Sequence, residues 1–174
     1  MHQVAVFNVE SNVCVAVTQG DRSQIIDVQF KTNEMLLTSG VRHLKFWTCK
    51  KELKPTLADF GDSSDRNLSC IAFNGDETIT GTTQGNLLVW NGSKIEKSIP
   101  LGVGPIDSLI VSKSYIVAGG RDMKVKVLGL DYNELSEIDV NGNQFKSING
   151  QPRALSIDDN ETNLVIGTFG CEIF

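Results

Sequence analysis

IIDVQF (Ile25–Phe30), LSCIAF (Leu68–Phe73), IDSLIV (Ile106–Val111) and RALSI (Arg153–Ile157) are four versions of one segment. Aligned on Val28, Ile71, Leu109 and Leu155, they recur at steps of 43, 38 and 46 residues. Each is followed by a run ending in small residues, LLTSG, ITGTT, IVAGG and VIGTF, marked by Gly40, Gly81, Gly119 and Gly167. A third run then follows: HLKFWT, NLLVWN, VKVLGL and CEIF. The runs have strand length, β-branched residues and period-2 alternation. Ile26, Val28 and Phe30 share one face of the first segment, with Asp27 and Gln29 on the other; Val125 and Val127 alternate with Lys124 and Lys126. A weaker fourth strand is read in LKPTLADFG, KIEKSI and LSEIDV.

A repeated unit of four strands and about 40 residues predicts the blade of a β-propeller. One such sheet has two apolar faces and buries both only by stacking against neighbours. The marker glycines belong where backbones come close or strands bend. The fold expected is therefore all-β, with about four four-stranded antiparallel blades in an incomplete ring and about seventeen strands. The divisions read at 1–20 (the last strands of a preceding blade), 21–62, 63–102, 103–147 and a truncated blade at 148–174. Third strands centre near Phe46, Trp90, Val127 and Ile173, with Trp47 and Trp90 buried. An open ring exposes an apolar face and a strand edge. VCVAVTQ is therefore expected to complete the CEIF blade, within the chain or in a second copy.

Composition narrows the function. The 174 residues are 40% hydrophobic and 21% charged, as in globular domains. No apolar run reaches the roughly 18 residues of a membrane-spanning helix, and MHQVAVFNVE lacks the basic-then-apolar start of a signal peptide. A formal charge of −5 does not point to nucleic acid. Cys14, Cys49, Cys70 and Cys171 form no C-x-x-C pair and read as reduced strand residues. The sequons at Asn67, Asn91 and Asn160 read as loops.

Catalytic chemistry is not found. Of two histidines, His2 lies at the terminus and His43 reads as packed in a turn, so a nucleophile–histidine device has no support. LGVGP (Leu101–Pro105) lacks the Lys-Ser/Thr of a phosphate loop. Asp158, Asp159 and Glu161 lack calcium-loop spacing and read as a strand-joining turn. No enzyme, cofactor or metal site is expected.

Trp47 and Trp90 fall where WD repeats carry their tryptophan, and RDMKVKVL resembles a WD hairpin with Asp122 in its turn. GVRHLKFWT (Gly40–Thr48) resembles the hallmark of the echinoderm microtubule-associated protein-like family. ITGTTQGNLLVW, VAGGRDMKVKVL and VIGTFGCEIF resemble further blades of that family, in order. The resemblance implies a propeller segment of a cytoplasmic, cytoskeletal scaffold that binds a protein partner, tubulin or microtubules, and neither nucleic acid nor membrane. The alternative is a generic WD adaptor in signalling, trafficking or ubiquitin ligase assembly. No blade has a Gly-His pair before its first strand, and Thr48, Asn91 and Gly129 stand where Asp would follow the Trp. The hydrogen-bond network of standard WD repeats is thus incomplete, and apolar packing must carry the stability.

All five arginines, Arg22, Arg42, Arg66, Arg121 and Arg153, fall in or beside loops that emerge on one propeller face. Lys31, Lys50, Lys51 and Lys113 fall on loops of the opposite face. Such arginines either bridge neighbouring blades to residues such as Asp122 or capture carboxylates of a partner. Arg22, Arg42, Arg66 and Arg121 are the candidate protein-binding residues, Arg42 and Arg121 being expected freest at their hairpin tips. Open propeller edges add self-association as a further expectation.

Overall fold

A computed structural model describes residues 2–50, 52–142 and 149–174. Lys51 and the division between 147 and 148 lie outside the described residues. Among the described residues all regular structure is β, in sixteen strands rather than seventeen. An outer hairpin, β1 (Gln3–Asn8) and β2 (Val13–Gln19), comes first. The first complete blade is β3 (Ile25–Thr32), β4 (Met35–Gly40), β5 (His43–Cys49) and β6 (Leu53–Leu57). The second is β7 (Leu68–Asn74), β8 (Glu77–Thr82), β9 (Asn86–Asn91) and β10 (Lys94–Pro100). The third is β11 (Ile106–Val111), β12 (Tyr115–Gly120), β13 (Lys124–Gly129) and β14 (Glu134–Asp139). β15 (Pro152–Ile157) and β16 (Leu164–Thr168) form a final hairpin. Each sheet is an antiparallel meander in chain order.

β3, β7, β11 and β15 lie side by side as the inner strands. Four apolar seams hold the sheets together. Val4, Leu36, Trp47 and Leu53 join the N-terminal hairpin to the first blade. Leu37, Phe46, Ile71 and Trp90 join the first blade to the second. Ile79, Val89, Ile106 and Leu109 join the second to the third, and Val117, Val125 and Ile166 join the third to the last hairpin. Each Val, Leu or Ile buried in a seam contributes roughly 1.5–3 kcal/mol. Trp47 and Trp90, 1% and 0% exposed, each donate Nε1–H to a threonine Oγ1 at 3.0 Å, Thr38 and Thr80 respectively.

Pairing revises several expectations. The fourth sheet is a hairpin, and around Ile173 there is only a short return, a single bridge to Gly167. Among the described residues the ring does not close: β2 pairs only with β1, and β15 pairs only with β16, whose other edge meets the short return at Ile173. Ile26, Val28 and Phe30 do share a face, but it is open to solvent, whereas Ile71 and Leu109 at the place of Val28 in the next two blades are buried. The marker glycine of the first repeat is one residue out of step. Val28 pairs with Thr38 as Ile71 pairs with Thr80, so Ser39, not Gly40, stands where Gly81 and Gly119 stand. In the second and third blades glycine permits a close approach of the next blade at this position. A Cβ on Gly81 would sit 2.7 Å from Ile106 of the next blade, and one on Gly119 would sit 2.6 Å from Pro152.

The cysteines do not share one environment. Cys70 is buried and Cys49 half-buried, whereas Cys14 and Cys171 are exposed; all four are free thiols. Cys171 lies in a turn with φ 63°, not in a strand. Asn91 is the last residue of β9, not a loop residue.

Candidate protein-binding face

One backbone contact repeats at every blade and builds this face. The amide just past each second strand donates to the carbonyl just before the first strand: Val41 to Gln24, Thr83 to Asn67, Arg121 to Pro105 and Phe169 to Gln151, at 2.8–3.0 Å. The turn between second and third strands is thereby tied to the loop that enters the blade. Residues from both loops, distant in sequence, share one surface.

Arg42 sits at the tip of the tight β4–β5 turn with φ 61°, a left-handed conformation that directs the chain back within two residues. It is exposed, and among the described residues neither Arg42 nor Arg22 makes a hydrogen bond or ion pair. Arg66 lies across the next loop. Its Nε donates to the Ser63 carbonyl at 3.0 Å and its Nη2 to the Gly61 carbonyl at 3.3 Å, while the guanidinium stands 5.9 Å from the Phe60 ring centre. Phe60 meets Trp90 edge-on at 5.1 Å, so a layered stack runs from the surface into the seam below.

Arg42 and Arg66 together line two adjoining clefts of about 420 and 400 Å³. The first also holds His43, Asp21 and Asp59; the second holds Asp62, Ser64 and Asn67. His43 is buried, with Nδ1 3.3 Å from the Val41 carbonyl and Nε2 without a partner. Burial pushes its pKa down, and this outweighs the pull of Asp21 at 3.9 Å. Asp65 Oδ1 and Asn67 Oδ1 are likewise buried without partners beside this joint. Asp21 is held by Lys45 Nζ at 2.9 Å; burial works against its ionisation, but the bonds from Lys45 and the Ser23 amide bring its pKa below the usual value.

The other two arginines lie elsewhere on the face, at the mouth of the groove between inner strands. Arg121 binds Asp107 through Nε at 2.9 Å and Nη2 at 2.8 Å, and Arg153 Nη1 approaches the same carboxylate at 3.6 Å. Arg121 is therefore not a free tip. The carboxylate that gathers these arginines is Asp107, not Asp122, and it spans the third blade and the last hairpin. Asp107 was not singled out in the sequence; its one signal was a lone carboxylate where the other repeats carry Ile26, Ser69 and Arg153. The Phe60–Arg66 stack left no periodic signal at all.

On the opposite face the lysines bridge turns. Lys31 Nζ donates to the Asp76 carbonyl, Lys113 Nζ to the Asp159 carbonyl at 3.4 Å, and Lys50 stands 3.9 Å from Glu34. Among the described residues no three His, Cys, Asp or Glu side chains are grouped to hold a metal. Cys70 is sealed, its thiol pushed up to about 12 by burial. Asp158 closes the β15–β16 turn by accepting from the amides of Thr162 and Asn163, bonds that with the Asn163 side chain bring its pKa to about 2.

Three four-stranded meanders packed side by side through their inner strands define a segment of a β-propeller. The WD40 repeats of RRP9 share this fold with a TM-score of 0.78 at 16% identity, over 95% of this chain and 54% of that one. The computationally designed Ika8 protein shares it with a TM-score of 0.72 at 19% identity, over 97% of this chain and 50% of that one. Among curated proteins, the chain is 30% identical over 115 residues to echinoderm microtubule-associated protein-like 2 of Homo sapiens, over 61% of this chain and 18% of that protein. It is 28% identical over 120 residues to cilia- and flagella-associated protein 44 of Mus musculus, over 62% of this chain and 6% of that protein. The chain thus spans less than a fifth of either relative. No family model matches it.

Proposed function

We propose that this chain is part of a non-enzymatic, cytoplasmic scaffold of the cytoskeleton, and that the Arg42–Arg66 cleft grips an acidic segment of a protein partner, tubulin first among them. The observation that carries the reading is the meeting of Arg42 and Arg66 across one surface cleft, with Arg42 uncommitted. Arginine presents a planar fork of donors suited to carboxylates. The unpartnered Nε2 of His43 beneath adds a further polar group. Arg22, on the neighbouring loop, extends the contact set; Arg121 and Arg153 serve the fold through Asp107. Tubulin is favoured because the curated relatives are named for microtubules, cilia and flagella.

Co-pelleting with microtubules tests this. Wild type is expected to pellet, Arg42→Glu to pellet poorly with unchanged circular dichroism, and binding to weaken with salt, since exposed charges are screened within about 8–10 Å. Unimpaired pelleting by Arg42→Glu would retire the cleft. Failure of wild type to pellet would retire tubulin and favour the generic adaptor reading.

A further inference from the structure

His43 lines the larger of the two clefts shared by Arg42 and Arg66, and one of its ring nitrogens is unspent. The residue opens β5 and is 5% exposed. Its ring packs on Gly40 so closely that a Cβ there would stand 2.9 Å from Cε1. Nδ1 lies 3.3 Å from the Val41 carbonyl oxygen, which can only accept, so Nδ1 carries the proton of the neutral ring. Nε2 is then a bare lone pair, and among the described residues nothing donates to it.

The surrounding charges keep that ring neutral. Asp21, on the loop before β3, is 3.9 Å from Nδ1, but its other oxygen is committed to Lys45 Nζ of β5 at 2.9 Å. Arg42, on the β4–β5 turn, and Arg66, between β6 and β7, border the cleft and oppose a further positive charge. Lys45 and His2 act in the same sense. Asp59, between β6 and β7, lines the cleft with Oδ1 taken by the Gly61 amide at 2.9 Å. Asp65, on the same loop, is buried and accepts from Asn86 through Oδ2. None of these carboxylates bonds to Nε2. A protonated ring would hold an N–H out of water with no acceptor, which is costly. Burial accordingly keeps the His43 pKa below its ordinary value.

A carboxylate in the cleft reverses the balance. Against a neutral ring it would face the Nε2 lone pair, acceptor against acceptor. With one more proton the same nitrogen donates a charge-assisted bond to it. We propose that His43 takes up a proton from solvent as a carboxylate of the partner enters the cleft, so that Nε2–H joins Arg42 and Arg66 as a donor to it. This rests on the reading of the cleft as the site of an acidic segment and adds a proton linkage to it. Uptake of a proton on binding makes affinity rise as pH falls. Glutamate side chains, with an ordinary pKa of about 4.3, stay ionised throughout the range in which an imidazole titrates.

A synthetic oligoglutamate peptide titrated into the chain tests the linkage. Binding about threefold or more tighter at about pH 6 than at about pH 7.5 is expected. The chain has only two histidines, so His2→Gln leaves a single imidazole to follow by NMR. The pKa of His43 read from that signal is expected to rise when the peptide is bound. His43→Gln is expected to bind with little dependence on pH; the NMR titration leaves the buried ring intact and so decides the matter even where that variant unfolds. Peptide binding of equal strength at both pH values, binding that tightens as pH rises, or a His43 pKa unmoved by the peptide overturns the linkage alone. Absence of peptide binding at every pH overturns it together with the acidic-partner reading.

Discussion

Trp90 Nε1 donates to Thr80 Oγ1 at 3.0 Å with both side chains wholly out of water, and Trp47 and Thr38 repeat the pair one blade earlier. In the third blade both partners differ together: Leu128 stands for the tryptophan and Ala118 for the threonine, 1% and 0% exposed. Bond and absence of bond are each self-consistent, since a buried indole N–H needs an acceptor and a buried leucine needs none.

Thr80→Ala should therefore cost about 1–3 kcal/mol by stranding the Trp90 N–H, and Trp90→Ala about 3–5 kcal/mol by opening a cavity. Ala118→Thr, which buries a hydroxyl where Leu128 offers no indole N–H to meet it, should destabilise rather than help. Urea titration of the three variants checks the order.

Two glycines of the same repeat position should differ. Gly119→Ala drives a Cβ to 2.6 Å from Pro152 and against Ser108, and should cost about 1–3 kcal/mol as overpacking. Gly167→Ala meets Ala154 at an ordinary 3.5 Å and should be near neutral. Thermal melts compare the pair.

His43 sets an acid limit. Burial holds its folded pKa below the ordinary 6.5. The unfolded chain then binds the proton more readily, so stability is full above pH 6.5 and falls as pH drops through 6.5 towards the folded value. A melting temperature that is flat from pH 8 to pH 7 and declines below about 6.5 is expected, and His43→Gln should remove that part of the decline. An identical decline in the variant would assign it to other groups.

Arg121→Ala should act on the fold. Asp107 is 5% exposed and would lose its two short bonds, keeping only Arg153 at 3.6 Å. A loss of about 1.5–3 kcal/mol is expected, the range for hydrogen bonds to charged groups, without the specific loss of partner binding expected of Arg42→Glu. A variant with unchanged stability would return Arg121 to the binding face.

The blade architecture was legible because it is written in period. Alternation in IIDVQF, LSCIAF and IDSLIV, the recurring step and the small residues after each second strand all report strands of one repeated unit. The individual sites were not. Nothing about Arg121 distinguishes it from Arg42 as a hairpin-tip residue; Asp107, fourteen positions earlier on a neighbouring strand, commits one and leaves the other free. Likewise Ile26, Val28 and Phe30 alternate as well as any buried strand, because alternation says which residues share a face and not what covers it.

By itself, then, the sequence determined the local structure: strand positions, their grouping in fours, the tryptophan sites and the loops that carry arginine. These follow from short-range sterics and from the need of apolar side chains to leave water. Only the tertiary structure decided the one-residue shift between Gly40 and Ser39, the pairing of the arginines into two groups and the burial of Ile71 and Leu109 where Val28 is exposed. Those depend on register and on contacts between residues tens of positions apart, where the partner that neutralises a charge or covers a face is supplied by another blade.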